Sequence, residues 1–174
     1  MKNLPLFCLL LIYSCSYKFA PLRGNYPDRP FISFTTKPVD YVWNKIIELS
    51  SQNGLPIKIV DKSSGLIVFE KCRLSFTCED KNGKLLNRAA FIVVPAAYDD
   101  DDDTYILEGG PEDISGDINI HIQSIQSGTQ VNVNIVNLSY THFSTEYHSR
   151  VTDNLNNGYR STGVFEGIVA EYVK

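Results

Sequence analysis

The sequence predicts a two-layer α+β domain in which two helices pack on one face of an antiparallel sheet. Two segments, one after residue 36 and one at the C-terminus, have apolar residues at helical spacing. Between them, several segments alternate apolar and polar residues, which is typical of strands that bury one face only. With 174 residues and 43% hydrophobic composition, the chain has the size of a single domain.

The first helix is predicted between Pro38 and Gly54. Its apolar residues recur at intervals of three and four and form one stripe: Val39, Val42, Trp43, Ile46 and Ile47. Proline is tolerated in a first helical turn, because its missing N–H would have no partner there. Gly54 suits the left-handed residue that ends a helix, and Pro56 prevents the helix from resuming. Trp43 is part of the stripe and is predicted to lie in the core.

Strands are predicted on both sides of this helix. Residues 31–34 form a short first strand, and residues 57–59 and 66–69 flank a turn rich in aspartate, serine and glycine. Asn82-Gly83 predicts a second hairpin, with residues 89–94 as the partner strand. The clearest alternation lies in residues 118–123 and 131–135, and it slips at residues 135–136, where we expect a bulge.

The C-terminal helix is predicted from a second apolar stripe that ends the chain. Its members are Val164, Phe165, Ile168, Val169, Tyr172 and Val173, and Ser161 or Thr162 is placed to cap it. Residues 98–117 and 144–159 have little pattern and are predicted as loops, the second with a poorly formed helix as the alternative.

The N-terminus is predicted to be a processing segment. Residues 4–13 are an apolar run too short for a stable transmembrane helix, so residues 1–14 are assigned to a signal peptide. Residues 12–15, Ile-Tyr-Ser-Cys, resemble the lipobox of bacterial lipoproteins, in which the cysteine receives lipid, although Tyr13 is larger than usual there. The resemblance implies lipidation of Cys15, and the alternative is an ordinary secretory signal cleaved further on. Residues 15–29 are rich in proline and polar residues and are predicted as a tether, followed by one domain over residues 30–174.

Two cysteines remain in the predicted domain, Cys72 and Cys78. If residues 72–78 form one strand, the two Cα atoms lie roughly 20 Å apart, too far for a disulfide. We therefore predict two buried, inert thiols. A break in the strand between them would make a disulfide possible again.

The charged residues give little support for a nucleic-acid or metal partner. The net charge is −4 and no basic stripe is present, which argues against nucleic acid. The five aspartates at positions 99–103 lack the alternating spacers and the glycine of a calcium loop, so a solvated loop is predicted. His142, Glu146 and His148 do not have the spacing of a helical metal site.

No arrangement typical of catalysis is found either, because the Ser-Gly pairs lie in predicted turns rather than on a strand-to-helix elbow. We therefore predict a protein that is not an enzyme and uses no cofactor. Ten tyrosines are many for this length, and several lie in or beside loops, where an aromatic ring with a polar tip suits recognition. Tyr98, Tyr105, Tyr147 and Tyr159 are the candidate binding surface, with half-buried structural rings as the alternative.

The order of motifs PVDYVWNKII, IKIVDKSSGLIV, FTCEDKNGKL, VNVNIVNLSY and STGVFEGIVAEY resembles small, largely uncharacterised lipoproteins of Gram-negative bacteria. The helix followed by DKSSGLIV is also similar, over about thirty residues, to the helix-grip domains of the lipoprotein C subunit of the outer-membrane assembly machinery. These resemblances imply a partner-binding role at the cell envelope. We expect an exported, lipid-anchored protein that binds another envelope protein or a surface component. The alternative is a carrier of a small apolar ligand, with a pocket between the C-terminal helix and the sheet.

Overall fold

The computed structural model describes residues 21–27, 30–95, 97–98, 105–106, 112–144, 147, 149–154 and 158–174. In chain order the elements are β1 (Phe31–Thr35), α1 (Val39–Asn53), β2 (Ile57–Asp61), β3 (Leu66–Leu74), β4 (Phe76–Thr77), β5 (Ile92–Val93), β6 (Ala97–Tyr98), β7 (Tyr105–Ile106), β8 (Asp113–Ile125), β9 (Gly128–Ser144), β10 (Ser149–Asn154), β11 (Arg160–Ser161) and α2 (Val164–Tyr172). The predicted α+β class is confirmed, because α1 and α2 share one core with an antiparallel six-stranded sheet. Neither helix has the length and apolar character needed to cross a membrane.

Helix α1 begins directly after Pro38 and ends at Asn53, as its sequence pattern predicts. Gly54 follows in the left-handed conformation (φ 61°), and its N–H donates to the carbonyl oxygen of Ser50. The buried side chains of the helix are Val42, Trp43, Ile46, Leu49 and Ser50. The predicted core position of Trp43 is therefore confirmed.

The six-stranded sheet has the order β1-β9-β8-β3-β2, and β10 also pairs with β9. Its centre is the β8–β9 hairpin, in which Ile120 lies opposite Val133. The side chains of this hairpin that face the helices are buried: Ile118, Ile120, Ile122, Val131, Val133 and Ile135. The prediction of a sheet with one apolar face is confirmed for these strands.

Two segments predicted as loops contain strands. β8 begins at Asp113, and β10 occupies Ser149–Asn154 and pairs with residues 139–144 of β9. The loop predictions are wrong for these residues. Neither stretch alternates clearly between apolar and polar residues, so its sequence does not predict a strand. Each becomes a strand because its backbone hydrogen-bonds to a neighbouring strand.

Residues 72–78 do not form one strand, so the stated alternative of a break between the two cysteines is the one observed. β3 ends at Leu74, and after Ser75 the chain enters β4, which belongs to a second sheet with the order β11-β5-β4. Cys72 and Cys78 are nevertheless buried and not disulfide-bonded, as predicted. Burial raises the pKa of the Cys72 thiol to about 11, which keeps the thiol protonated and unreactive at neutral pH.

The Asn82-Gly83 turn forms, but the predicted antiparallel partner strand does not. The turn closes a single bridge between Glu79 and Leu85. The following residues carry the chain back to the start of β4, where the Phe91 N–H donates to the carbonyl oxygen of Ser75 at 2.9 Å. As a result, β5 runs parallel to β4.

Helix α2 buries Phe165 and Val169 of its predicted stripe. Its N-cap is Gly163, with a φ of 84°, and not Ser161 or Thr162. A positive φ favours glycine, because a side chain would be strained there. The Ser161 hydroxyl accepts a hydrogen bond from the N–H of Gly163 at 3.1 Å. It therefore bonds the N-cap residue itself and not an N–H inside the helix.

Glu79 attaches residues 21–27, which are part of the predicted tether, to the folded body. This residue is only 6% exposed, and its carboxylate accepts hydrogen bonds from the N–H groups of Arg23 and Gly24, both at 2.7 Å. The Tyr26 hydroxyl donates a further, short hydrogen bond to Oε1. A Cβ at Gly24 would lie 2.7 Å from that oxygen, so a side chain there would displace the Glu79 carboxylate from this position.

The hydrogen bond between Tyr26 and Glu79 predicts a dependence of stability on alkaline pH. Burial, and then the hydrogen bond and charge of Glu79, raise the pKa of Tyr26. Because the folded-state pKa exceeds the unfolded value of about 10, this contribution is complete below pH 10 and is lost as the pH rises further. We expect Tyr26→Phe to lower the free energy of unfolding by about 1 kcal/mol at neutral pH, and by less above pH 10.

Urea unfolding followed by Trp43 fluorescence measures this difference. Tyr41→Phe, which changes an exposed ring on α1, is the control. If the difference in free energy of unfolding between Tyr26→Phe and the unmodified protein did not change with pH, the stabilising role of the Tyr26–Glu79 hydrogen bond would be contradicted.

Candidate functional site

The structure brings two of the four predicted surface tyrosines next to each other. Tyr98 in β6 lies directly opposite Tyr105 in β7, in antiparallel register. Their side chains, like Cys15, lie outside the described residues. Tyr147 is exposed, whereas Tyr159 is half-buried and packs against the core. Tyr159 therefore contributes to core packing as well as to the surface.

A more extended candidate is the sheet face that points away from the helices, which we call the open face. Directly opposite residues of neighbouring strands point to the same side, so the register defines its rows. Its members are Ile32 and Phe34 on β1, Gln130, Asn132 and Asn134 on β9, Asn119, His121 and Gln123 on β8, Leu66 and Val68 on β3, and Ile59 on β2.

Strand β1 carries two large apolar side chains on the open face, and both are exposed to solvent. Ile32 is 48% and Phe34 is 65% exposed. The polar residues that alternate with them face the helices, where the Thr35 hydroxyl donates to the carbonyl oxygen of Val173 at 3.1 Å. Leaving two such side chains exposed forgoes about 2 kcal/mol of burial for each. Phe31, opposite the buried Val133, lies on the helix side, so β1 exposes two of its three apolar side chains on the open face.

The centre of the open face is rich in side-chain amides, each of which can both donate and accept hydrogen bonds. The Gln130 amide donates to Oδ1 of Asn132 at 2.8 Å, and Nε2 of His121 lies 3.1 Å from the carbonyl oxygen of Ser64. Asn119 and Asn134 lie opposite each other in the next row. This face therefore has a polar centre with an apolar border. A partner could form hydrogen bonds with the centre and apolar contacts with the border.

Two bulges meet beside the open face at Asp117. Relative to β8, β3 and β9 each carry one extra residue, and Lys71 (φ 53°) and Asn137 (φ 51°) adopt the left-handed conformation there. Asp117 Oδ1 accepts the Lys71 N–H at 3.0 Å, and Oδ2 accepts the Asn137 side-chain amide at 2.8 Å. The predicted bulge after residue 135 is confirmed at Asn137. One carboxylate thus holds both bulges, which bend the sheet at this position.

A cavity of about 620 Å³ lies where the start of α1 meets the turns after β2 and β8. The charged groups that line it are paired within the protein, since Lys62 Nζ contacts Asp40 Oδ1 at 2.8 Å. His121, at the edge of the open face, also lines it. The cavity is therefore continuous with the open face.

At the place predicted for a carrier pocket, the described side chains pack together. Phe165 of α2 meets Phe91 edge to face, with ring centroids 5.5 Å apart. Val169 and Val173 are buried against the sheet in the same cluster. This packing joins α2 to both sheets.

Of the two histidines interpreted from the sequence as exposed loop residues, His142 lies in β9 and is partly buried, so this interpretation is wrong for it, and His148 lies outside the described residues, as does Glu146. Within the described residues no group of three metal-ligating side chains is found. His142 stacks on Tyr140, and its Nδ1 lies 3.7 Å from Asp153, beyond hydrogen-bonding distance. This nitrogen and Oε2 of Glu166 are buried atoms without a hydrogen-bond partner among the described residues. They belong to different elements, β9 and α2.

Ile32 and Phe34 cannot be recognised as site residues from the sequence alone. Alternation with Ser33 and Thr35 makes them look like the buried side of a strand. Only the register with β9, in which Ser33 lies opposite the buried Val131, shows that they point outward. No local sequence signal distinguishes the two orientations.

No protein-family model matches the chain, and no curated protein matches it.

The carboxylate of Asp117 is expected to contribute more to stability than other acidic side chains of β8. Asp117→Ala removes a charged acceptor from two hydrogen bonds and leaves both bulges without it, so we expect a loss of about 2 kcal/mol in the free energy of unfolding. Asp113→Ala is the matched control, because among the described residues this carboxylate forms an exposed ion pair with Arg73, and its removal should cost less than about 1 kcal/mol. Equal losses in urea unfolding would refute the role of Asp117.

Proposed function

We propose that the chain is an exported, lipid-anchored envelope protein that binds another envelope protein or a surface component without catalysing a reaction. The observation that carries the binding role is the outward orientation of Ile32 and Phe34 on β1. A folded domain gains stability by burying such side chains, and an exposed apolar border next to a hydrogen-bonding centre is typical of a recognition surface.

The position of the open face supports this proposal. Both helices pack on the opposite side of the sheet, so the face is reached without moving either helix. Its border strand, β1, pairs with β9 through its whole length, and the bulges at Asp117 fix the curvature nearby. The surface is therefore presented by regular strands rather than by loops, which favours a preformed binding surface.

The lipid anchor is proposed from the sequence of residues 4–15, an apolar run followed by the lipobox-like residues and Cys15. A lipid on that cysteine places the domain at a membrane surface, where partners are also concentrated. The resemblance to small lipoproteins of Gram-negative bacteria supports the same assignment.

Mass measurement of the protein isolated from cells tests the anchor. We expect the processed chain to begin at Cys15 and to carry acyl chains, and Cys15→Ala to lack them. An unlipidated mass for the unmodified protein would overturn the anchor.

Photocrosslinking in cells tests the binding surface. A photoreactive phenylalanine analogue at position 34 should give one dominant adduct of defined mass. The same analogue at Tyr41, which is exposed on α1, should not give it. Ile32→Thr should reduce the adduct without lowering stability, because Ile32 is exposed on a strand. The same adducts from both positions, or none from position 34, would overturn the proposed surface.

A further inference from the structure

The turn that follows β4 combines an exposed leucine with basic side chains. Leu86 is 60% exposed, and Lys84 and Arg88 on either side of it are also exposed. The two acidic residues at the start of this turn are engaged internally: Glu79 accepts bonds from residues 23–26, and Asp80 Oδ1 accepts the N–H groups of Asn82 and Lys84 at 2.8 and 2.9 Å. We call residues 80–88 the basic loop.

The basic loop is held in place, so the exposure of Leu86 is a fixed feature of the surface. The Leu86 N–H donates to the carbonyl oxygen of Cys78 at 3.0 Å, and the Asn87 N–H donates to the Thr77 hydroxyl at 2.9 Å. Gly83 at the tip has a φ of 77°, which glycine adopts without strain. Backbone hydrogen bonds on both sides of Leu86 therefore keep its side chain directed at solvent.

The N-terminal segment meets the domain at this same loop. Arg23 is exposed and donates from Nη1 to the carbonyl oxygen of Lys81 at 2.6 Å, while its backbone N–H is bound by Glu79. Arg23 follows Cys15 by only eight positions in the chain. Even fully extended, they span at most about 28 Å. A lipid on Cys15 would therefore keep the basic loop close to the membrane.

We propose that the basic loop docks on an anionic phospholipid surface, with Leu86 at the headgroup boundary and Arg23, Lys84 and Arg88 on the phosphates. The proposal rests on the proposed lipid anchor, which sets the distance to the membrane. The charge of this loop is complementary to anionic lipid, although the whole chain carries a net charge of −4. A single anchored segment leaves the domain free to rotate, whereas a second contact fixes its orientation.

The experiment uses a chain that starts at Cys15, which keeps every described residue, coupled through that thiol to a maleimide lipid in vesicles. Cys72 and Cys78 are buried and do not compete for coupling. Chemical coupling makes the result independent of lipidation in cells, so failure of the lipid anchor and failure of the docking contact are separate outcomes.

Quenching of tryptophan fluorescence by brominated phospholipid reports contact with the membrane. Leu86→Trp should be quenched in vesicles that contain phosphatidylglycerol, and much less in phosphatidylcholine alone or at high salt. Val60→Trp is the matched control, because Val60 is an exposed apolar residue of β2 in the six-stranded sheet, whereas the basic loop follows β4 in the second sheet. Val60→Trp should show no dependence on the lipid charge.

Charge removal tests the basic residues. Lys84→Gln and Arg88→Gln, each combined with Leu86→Trp, should reduce the ratio of docked to undocked protein about five-fold. Lys62→Gln, near Val60, should leave it unchanged. The proposal would be overturned if Leu86→Trp and Val60→Trp were quenched equally, or if quenching of Leu86→Trp did not depend on lipid charge. It would also be overturned if Lys62→Gln and Lys84→Gln had equal effects.

Discussion

The pairing of β8 with β9 determines which side chains of the sheet are buried and which are exposed. In this hairpin Ile120 lies opposite Val133, and both face the helices. In any strand that pairs with the hairpin, the register decides which residues face the helices and which face the open side, because directly opposite residues point to the same side. β1 pairs Ser33 with the buried Val131, so Ile32 and Phe34 must point to the open face. The orientation of the proposed binding surface therefore depends on a register between strands that are far apart in sequence.

Local sequence signals were sufficient to predict the elements whose conformation depends on neighbouring residues in the chain. The stripe of α1, its end at Gly54 and the alternation in β8 and β9 are properties of a few neighbouring residues, and the structure has them as predicted. β10 and β5 depend instead on a partner strand, so their sequences do not show their pairing. Asn82-Gly83 predicts a turn correctly but cannot show that the chain then returns parallel to β4.

The candidate site was less predictable than the fold, for the same physical reason. Tyrosine content and loop position select Tyr147, which is exposed, but also Tyr159, which packs against the core. Exposure of Ile32 and Phe34 depends on register, and a shift of one residue would reverse it. Leu86 is similar, since nothing local shows that its own N–H bonds to Cys78 and the Asn87 N–H to Thr77 of β4, which holds its side chain outside the core.

The two proposed contacts use different parts of the fold. The basic loop follows β4 in the second sheet, whereas the open face is formed by strands of the six-stranded sheet. No residue of the basic loop belongs to the open face, so docking of the loop on a membrane leaves the side chains of the open face free to contact a partner. A partner held in the same membrane would then meet Phe34 and the amides of β9 together.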